Sequence, residues 1–156
     1  MTPHIVPVTL AEKADLWAMF QLYGAELAPM AIGKPVKGEV PYPSFDHYWR
    51  EDRHWPFWGM HEGRRIGFAL IRFAPEHDAM QIAEFYILRE YRRDGAGTSF
   101  ARSLMQRYPG PWKMRQMAVN KPAVAFWRKV AAPYGFTETE YCDKGIDRVE
   151  QTLTVR

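Results

Sequence analysis

The chain has 156 residues, 47% hydrophobic and 25% charged, with 21 Lys+Arg against 18 Asp+Glu for a net charge of +3. Those values exclude a disordered chain and suit a single domain over residues 1–156. The lone Cys142 excludes an intrachain disulfide and zinc-finger spacings, no apolar run approaches the roughly 18 residues of a membrane span, and Met1-Thr2-Pro3-His4 begins no signal peptide, so a cytoplasmic protein without membrane association is expected.

Ile5, Val6 and Val8 mark a short first strand. Thr9 with Glu12 forms a capping box, and Leu16, Phe20, Tyr23 and Leu27 recur at helical spacing, which predicts a helix from Ala11 to Ala28. Pro29, Gly33, Pro35, Gly38, Pro41 and Pro43 then predict a long loop, of a length usually kept for function. Ser44 caps a short helix through Phe45, Tyr48 and Trp49. Trp55–His61 and Arg65–Phe73 read as a hairpin over Glu62-Gly63, and Met80–Leu88 as a more apolar interior strand. Gly95–Tyr108 lines Ala96, Phe100, Ala101, Leu104, Met105 and Tyr108 along one helical face and stops at Pro109-Gly110-Pro111. Trp112–Val119 is a strand and Asn120–Val130 a helix with Pro122 in its first turn. Phe136–Cys142 and Arg148–Val155 are late strands, the second alternating with a period of two.

The segment from Tyr86 to Thr98 carries the chemistry. An apolar strand runs into a basic turn with two glycines, and the turn opens a helix. The first N–H groups of a helix lack helical partners, and its dipole adds positive potential there. Arg92 and Arg93 add charge, while Gly95 and Gly97 allow close approach to the main chain, so the turn suits a phosphate or pyrophosphate. It lacks the Gly-Lys-Ser/Thr of a P-loop and the spacing of a dinucleotide fingerprint. The alternative is an ordinary strand-turn-helix with a solvated arginine pair.

Arg92-x-x-Gly95-x-Gly97 in this setting resembles the acyl-CoA-binding motif Arg/Gln-x-x-Gly-x-Gly/Ala of the GNAT (general N-acetyltransferase) superfamily. Asn120-x-x-Ala123-x-x-Phe126-Trp127 and Tyr134-Gly135-Phe136 resemble that family's later segments, and the order of elements fits over nearly the whole chain. The resemblance implies an α+β fold: a mixed, mostly antiparallel sheet of six or seven strands flanked by about four helices. It implies acetyl-CoA as co-substrate, no metal, and transfer of an acetyl group by direct attack of a primary amine of a small molecule or peptide. A homodimer is compatible with it. It implies that Arg92, Arg93, Asp94, Gly95, Ala96, Gly97 and Thr98 hold the pyrophosphate, that Ile87 and Leu88 pair with the pantetheine arm, and that the Ile87 N–H stabilises the developing oxyanion. Asn120 and Phe126 would contact the same arm, with Asn120 also an N-cap.

Glu84, three residues before Ile87, is the candidate base; Gln81 stands where relatives carry an acid. Where many members have a tyrosine acid, Trp127 stands here; its indole does not give up a proton, so Tyr134 is the substitute candidate and packing the expected role of Trp127. Lys121, Arg128 and Lys129 suit either the 3′-phosphate or a solvated face. Tyr23, Glu26, Asp46, His47, Tyr48 and Trp49 are the expected acceptor wall, an aromatic and acidic mixture suited to a cationic or aromatic amine. Cys142 is a poor acyl relay, and the five histidines show no metal spacing. The alternative function is a catalytically weak acyl-CoA-binding module. A nucleic-acid binder using Arg64, Arg65, Arg89, Arg92 and Arg93 is not expected, because no recognised motif accompanies them.

Overall fold

The computed structural model describes residues 1–156. The strands are β1 (His4–Pro7), β2 (His54–His61), β3 (Arg64–Ala74), β4 (Ala79–Ile87), β5 (Gly110–Met117), β6 (Thr137–Asp143) and β7 (Ile146–Val155); the helices are α1 (Lys13–Ile32), α2 (His47–Arg50), α3 (Ala96–Arg107) and α4 (Lys121–Ala131). They build one sheet of order β1-β2-β3-β4-β5-β7-β6, antiparallel except between β4 and β5. This is the α+β architecture of seven strands and four helices that the sequence implies. No helix is long and apolar enough to cross a membrane.

Apolar burial holds both faces of the sheet. On one, Phe100 and Leu104 of α3 and Trp127 and Val130 of α4 pack on Ile71, Ile82, Trp112 and Leu153. On the other, Leu16 and Phe20 of α1 and Tyr48 of α2 pack on Trp58, Phe68, Leu70 and Tyr86. Burying each such side chain contributes about 1.5–3 kcal/mol.

Two irregularities position the site. The parallel pairing of β4 with β5 extends only over Met80–Trp112 and Gln81–Lys113; beyond it the strands part and leave a slot. Within β4, Leu70 faces Glu84 while Ile71 faces Ile82, so Ala83 is an extra, bulged residue. Met80 and Ile82 point to the α3–α4 core, and strict alternation would send Glu84 there too. The bulge resets the phase: Phe85 and Ile87 take that core face, and Glu84 and Tyr86 turn toward α1.

Local chemistry refines the expected elements at four points. The helix from Thr9 starts with a 3-10 turn, Leu10–Glu12, in which Glu12 accepts from the Thr9 N–H (3.0 Å) and hydroxyl (3.1 Å). It then runs past Ala28 to Ile32, because Pro29 falls in its last turn and Gly33, in the left-handed region at φ 76°, donates to Pro29 O (2.7 Å) and closes the end. Part of the Pro29–Pro43 loop is pinned: Gln21 of α1 accepts from the Val40 N–H (2.6 Å) and donates to Val40 O (3.0 Å). Helix α2 starts after Asp46, without a side-chain cap from Ser44.

Candidate active site

A cavity of about 700 Å³ lies at the end of β4 where its pairing with β5 has ended, and is walled by helices from both faces of the sheet. Its walls are Tyr23, Glu26, Leu27 and Met30 of α1, Phe85–Ile87 of β4, the turn before α3, and Asn120, Ala123, Phe126 and Trp127 at the head of α4. Among the residues singled out from the sequence, Tyr23, Ile87, Arg92, Arg93, Gly95, Gly97, Thr98, Asn120 and Phe126 meet there.

The turn has the electrostatic character expected of it. Ser99 is the first residue of α3 whose N–H finds a main-chain acceptor, Gly95 O at 3.0 Å, so the amides from Arg93 to Thr98 are left without one. Gly95 sits in the left-handed region (φ 75°) with open space where a Cβ would stand. Gly97 differs from expectation: a Cβ there would lie 3.1 Å from the Phe126 ring, so this glycine lets α4 pack on α3. Asp94 and Ala96 do not line the cavity, and Ala96 is buried. They contribute backbone alone.

On β4 the Leu88 N–H bonds to Ile66 O (2.8 Å). Antiparallel pairing alternates, so Phe85 and Ile87 turn their N–H and C=O groups away from β3, into the slot. Leu88 therefore has no free donor for a ligand, a correction to its expected role. The Ile87 carbonyl accepts from Arg92 Nε (2.8 Å), which anchors the basic turn to the strand.

Glu26 was absent from the expected cofactor residues. It accepts from Arg89 (2.8 Å) and Arg92 (2.9 Å), and these two cations hold its carboxyl below the usual range despite partial burial. Its place three residues after Tyr23 on α1 was the sequence signal for it. Arg93 forms no ion pair and remains free at the cavity.

The Tyr23 hydroxyl donates to Glu84 Oε2 at 2.6 Å. Tyr23 forms the cavity wall and Glu84 stands behind it. Burial pushes the Glu84 carboxyl up to about 7, against the hydrogen bond from Tyr23 and the charges of Arg115 and Arg148, which favour the carboxylate. Burial also drives the Tyr23 hydroxyl well above its ordinary range.

Four expected site residues lie elsewhere. Tyr134 is in the 3-10 turn after α4 (Ala132–Tyr134), where its hydroxyl accepts from Gln106 (3.2 Å), outside the cavity. The turn ends α4 before the chain reaches back to the slot. Asp46 is paired with Lys13. His47 packs edge-on against His54, and Trp49 donates to Val8 O (3.1 Å) while stacking edge-to-face on Phe45. Helix α2 packs over β2, and none of its residues lines the cavity. Trp127 is 7% exposed, set edge-to-face with Phe85 and Phe126, and touches the cavity from the core. Arg128 is paired bidentately with Glu138, which leaves Lys129 as the α4 cation at the cavity.

The sequence model of the acetyltransferase (GNAT) family matches residues 16–132. The chain belongs to that family. No curated protein sequence matches this chain. Solved structures share its fold at low identity. An acetyltransferase from Thermus thermophilus superposes with a TM-score of 0.74 at 16% identity, over 99% of this chain and 98% of that one. AAC(6')-Ib in complex with ribostamycin and coenzyme A gives 0.74 at 14%, over 99% and 94%. The ribosomal-protein-S18-alanine N-acetyltransferase from Escherichia coli gives 0.67 at 15%, over 97% and 93%.

Proposed function

We propose that the protein is an acetyl-CoA-dependent N-acetyltransferase acting on a primary amine of a small molecule or peptide. The observation that carries this reading is the run of unpartnered amides from Arg93 to Thr98 at the head of α3, opening onto the slot beside Glu84 and Tyr23. The residues present fit acetyl-CoA: free backbone donors, open space at Gly95, unpaired Arg93, and the main-chain groups of Phe85 and the N–H of Ile87 turned away from β3. Similarity to the complex of AAC(6')-Ib with an aminoglycoside and coenzyme A supports the same reading.

When bound, acetyl-CoA supplies an activated acyl group whose C–S bond breaks as the amine's N–C bond forms. The amides of Arg93–Thr98 would grip the diphosphate, with Arg93 and Lys129 adding charge and the Thr98 hydroxyl a further donor. The Ile87 N–H would stabilise negative charge on the acyl oxygen. The Asn120 side chain, which accepts from the Ala123 N–H (3.3 Å), would hold the rim of the slot. Tyr23 lies between the amine and Glu84. Its oxygen takes a proton from the amine nitrogen as its own proton passes to Glu84, which ends protonated. A carboxyl near 7 suits that task at neutral pH.

The binding-module reading keeps one specific observation: Tyr134 lies away from the cavity, and Trp127 at the slot has no proton to give a thiolate. Two measurements separate the readings. Acetyl-CoA at about 100 times its Kd should raise the unfolding midpoint by about 5–10 °C. Free-thiol release over an amine panel should then rise above the hydrolytic background. Stabilisation without thiol release from any amine would favour the binding module, and no stabilisation would remove both.

A further inference from the structure

The sheet face on the α1 side continues past α1 onto β5, β7 and β6, where Arg115 faces Glu150 and Arg148 faces Met117 and Tyr141. Most charges there are matched. Lys113 pairs with Glu150 (3.2 Å), and Arg72 pairs with Glu76 (2.6 Å) and donates to Gln81 (3.0 Å). Arg115 is attended by Tyr141, Asp143 and Glu150. Arg148 is the exception. It forms no ion pair, and its Nε is sealed from solvent with no hydrogen-bond partner.

A guanidinium N–H buried without an acceptor is costly, and native proteins rarely keep one without a use. The place of Arg148 suggests that use. Counting along the register, it stands past the last β4–β5 pair, where the strands have parted, on the face to which the bulge turns Glu84. Its charge bears on both Tyr23 and Glu84. The acidic groups expected to attract a cationic acceptor are engaged elsewhere, Asp46 with Lys13 and Glu26 with Arg89 and Arg92.

We propose that Arg148, flanked by Arg115, is the counter-ion for a carboxylate carried by the acceptor, so that the amine acetylated here belongs to an amino acid or a similar compound with a carboxylate a few bonds from its nitrogen. This rests on the N-acetyltransferase reading above. The nitrogen must meet Tyr23 to lose its proton, and Arg148 stands across the parted strands on the same sheet face as Glu84, the partner of Tyr23, which sets the carboxylate near the nitrogen. With Nε enclosed, the two Nη groups are the open, unpaired edge of the planar guanidinium, and that edge can give a carboxylate two parallel hydrogen bonds.

The test uses the full chain with acetyl-CoA and three matched panels: free amino acids, their carboxamides, and the corresponding decarboxylated amines. The acids should give kcat/KM at least about tenfold above their amides. Arg148→Gln should bring the acids down to the level of the amides, and Arg148→Lys should restore only part. A binding readout runs beside it: N-acetylated amino acids should raise the unfolding midpoint of the coenzyme A-bound protein, their amides should not, and Arg148→Gln should lose the effect. Equal turnover of acids and amides, or equal or absent midpoint shifts in a protein that acetyl-CoA does stabilise, overturns the carboxylate assignment alone. No stabilisation by acetyl-CoA and no thiol release overturns the acetyltransferase reading with it.

Discussion

Tyr23 and Glu84 meet in a 2.6 Å hydrogen bond that joins α1 to the bulged part of β4. The bond needs both features, a helical residue facing the sheet and a bulge that turns the carboxylate toward it. If Tyr23 relays the proton to Glu84, Tyr23→Phe and Glu84→Gln should each lower kcat by about 100-fold with acetyl-CoA affinity unchanged. The double variant should be no slower than the worse single one, since the two act as a unit. Steady-state kinetics and calorimetry check this; additive losses would show separate roles.

The raised Glu84 carboxyl gives a signed pH dependence. As the base it must be ionised, so kcat/KM should climb with pH through a midpoint near the value of about 7. Stability runs the other way. A carboxyl whose folded value lies above its ordinary 4.5 contributes fully below that value, and the contribution is lost as pH rises through about 7. Glu84→Gln should therefore gain stability relative to the parent protein between about pH 5 and about pH 8, by on the order of a few kcal/mol. Urea unfolding at the two pH values measures it.

The two glycines of the basic turn should respond differently. Gly95→Ala places a side chain at φ 75°, which costs about 1–2 kcal/mol, and crowds the free amides, so acetyl-CoA affinity should fall. Gly97→Ala pushes a methyl against Phe126 at 3.1 Å, so it should cost about 1–3 kcal/mol through packing of α4. Unfolding curves with and without acetyl-CoA separate the two: the ligand-induced shift should shrink more for Gly95→Ala.

Glu26 holds Arg89 and Arg92 away from any anion in the cavity. Glu26→Gln removes that competitor, so acetyl-CoA should bind several-fold more tightly, with the gain fading at high salt. Titration calorimetry at two ionic strengths measures it; weaker binding would mean that Glu26 orients Arg92 for its task.

The fold was legible because local signals agreed: capping at Thr9–Glu12, punctuation at Glu62-Gly63, and the period of two in β7 all place elements correctly. The donor-rich turn before α3 was legible because its free amides are consecutive in sequence. The acceptor side was not. Asp46, His47 and Trp49 follow the long loop in sequence, but α2 packs over β2 and holds them off the cavity, while Arg148, remote in sequence, is brought by β5–β7 pairing to the end of the sheet where β4 and β5 have parted. The helix's passage through Pro29 to the stop at Gly33 was a local signal outweighed by the proline, whereas the bulge at Ala83 depends on pairing with β3 that no local pattern encodes.

Backbone amide resonances followed during titration with coenzyme A test the account at its centre. The largest shifts should fall on the N–H groups from Arg93 to Thr98, with Gly95 and Gly97 moved as new hydrogen-bond donors. Saturating coenzyme A that left those amides unmoved, or moved a different surface, would contradict it.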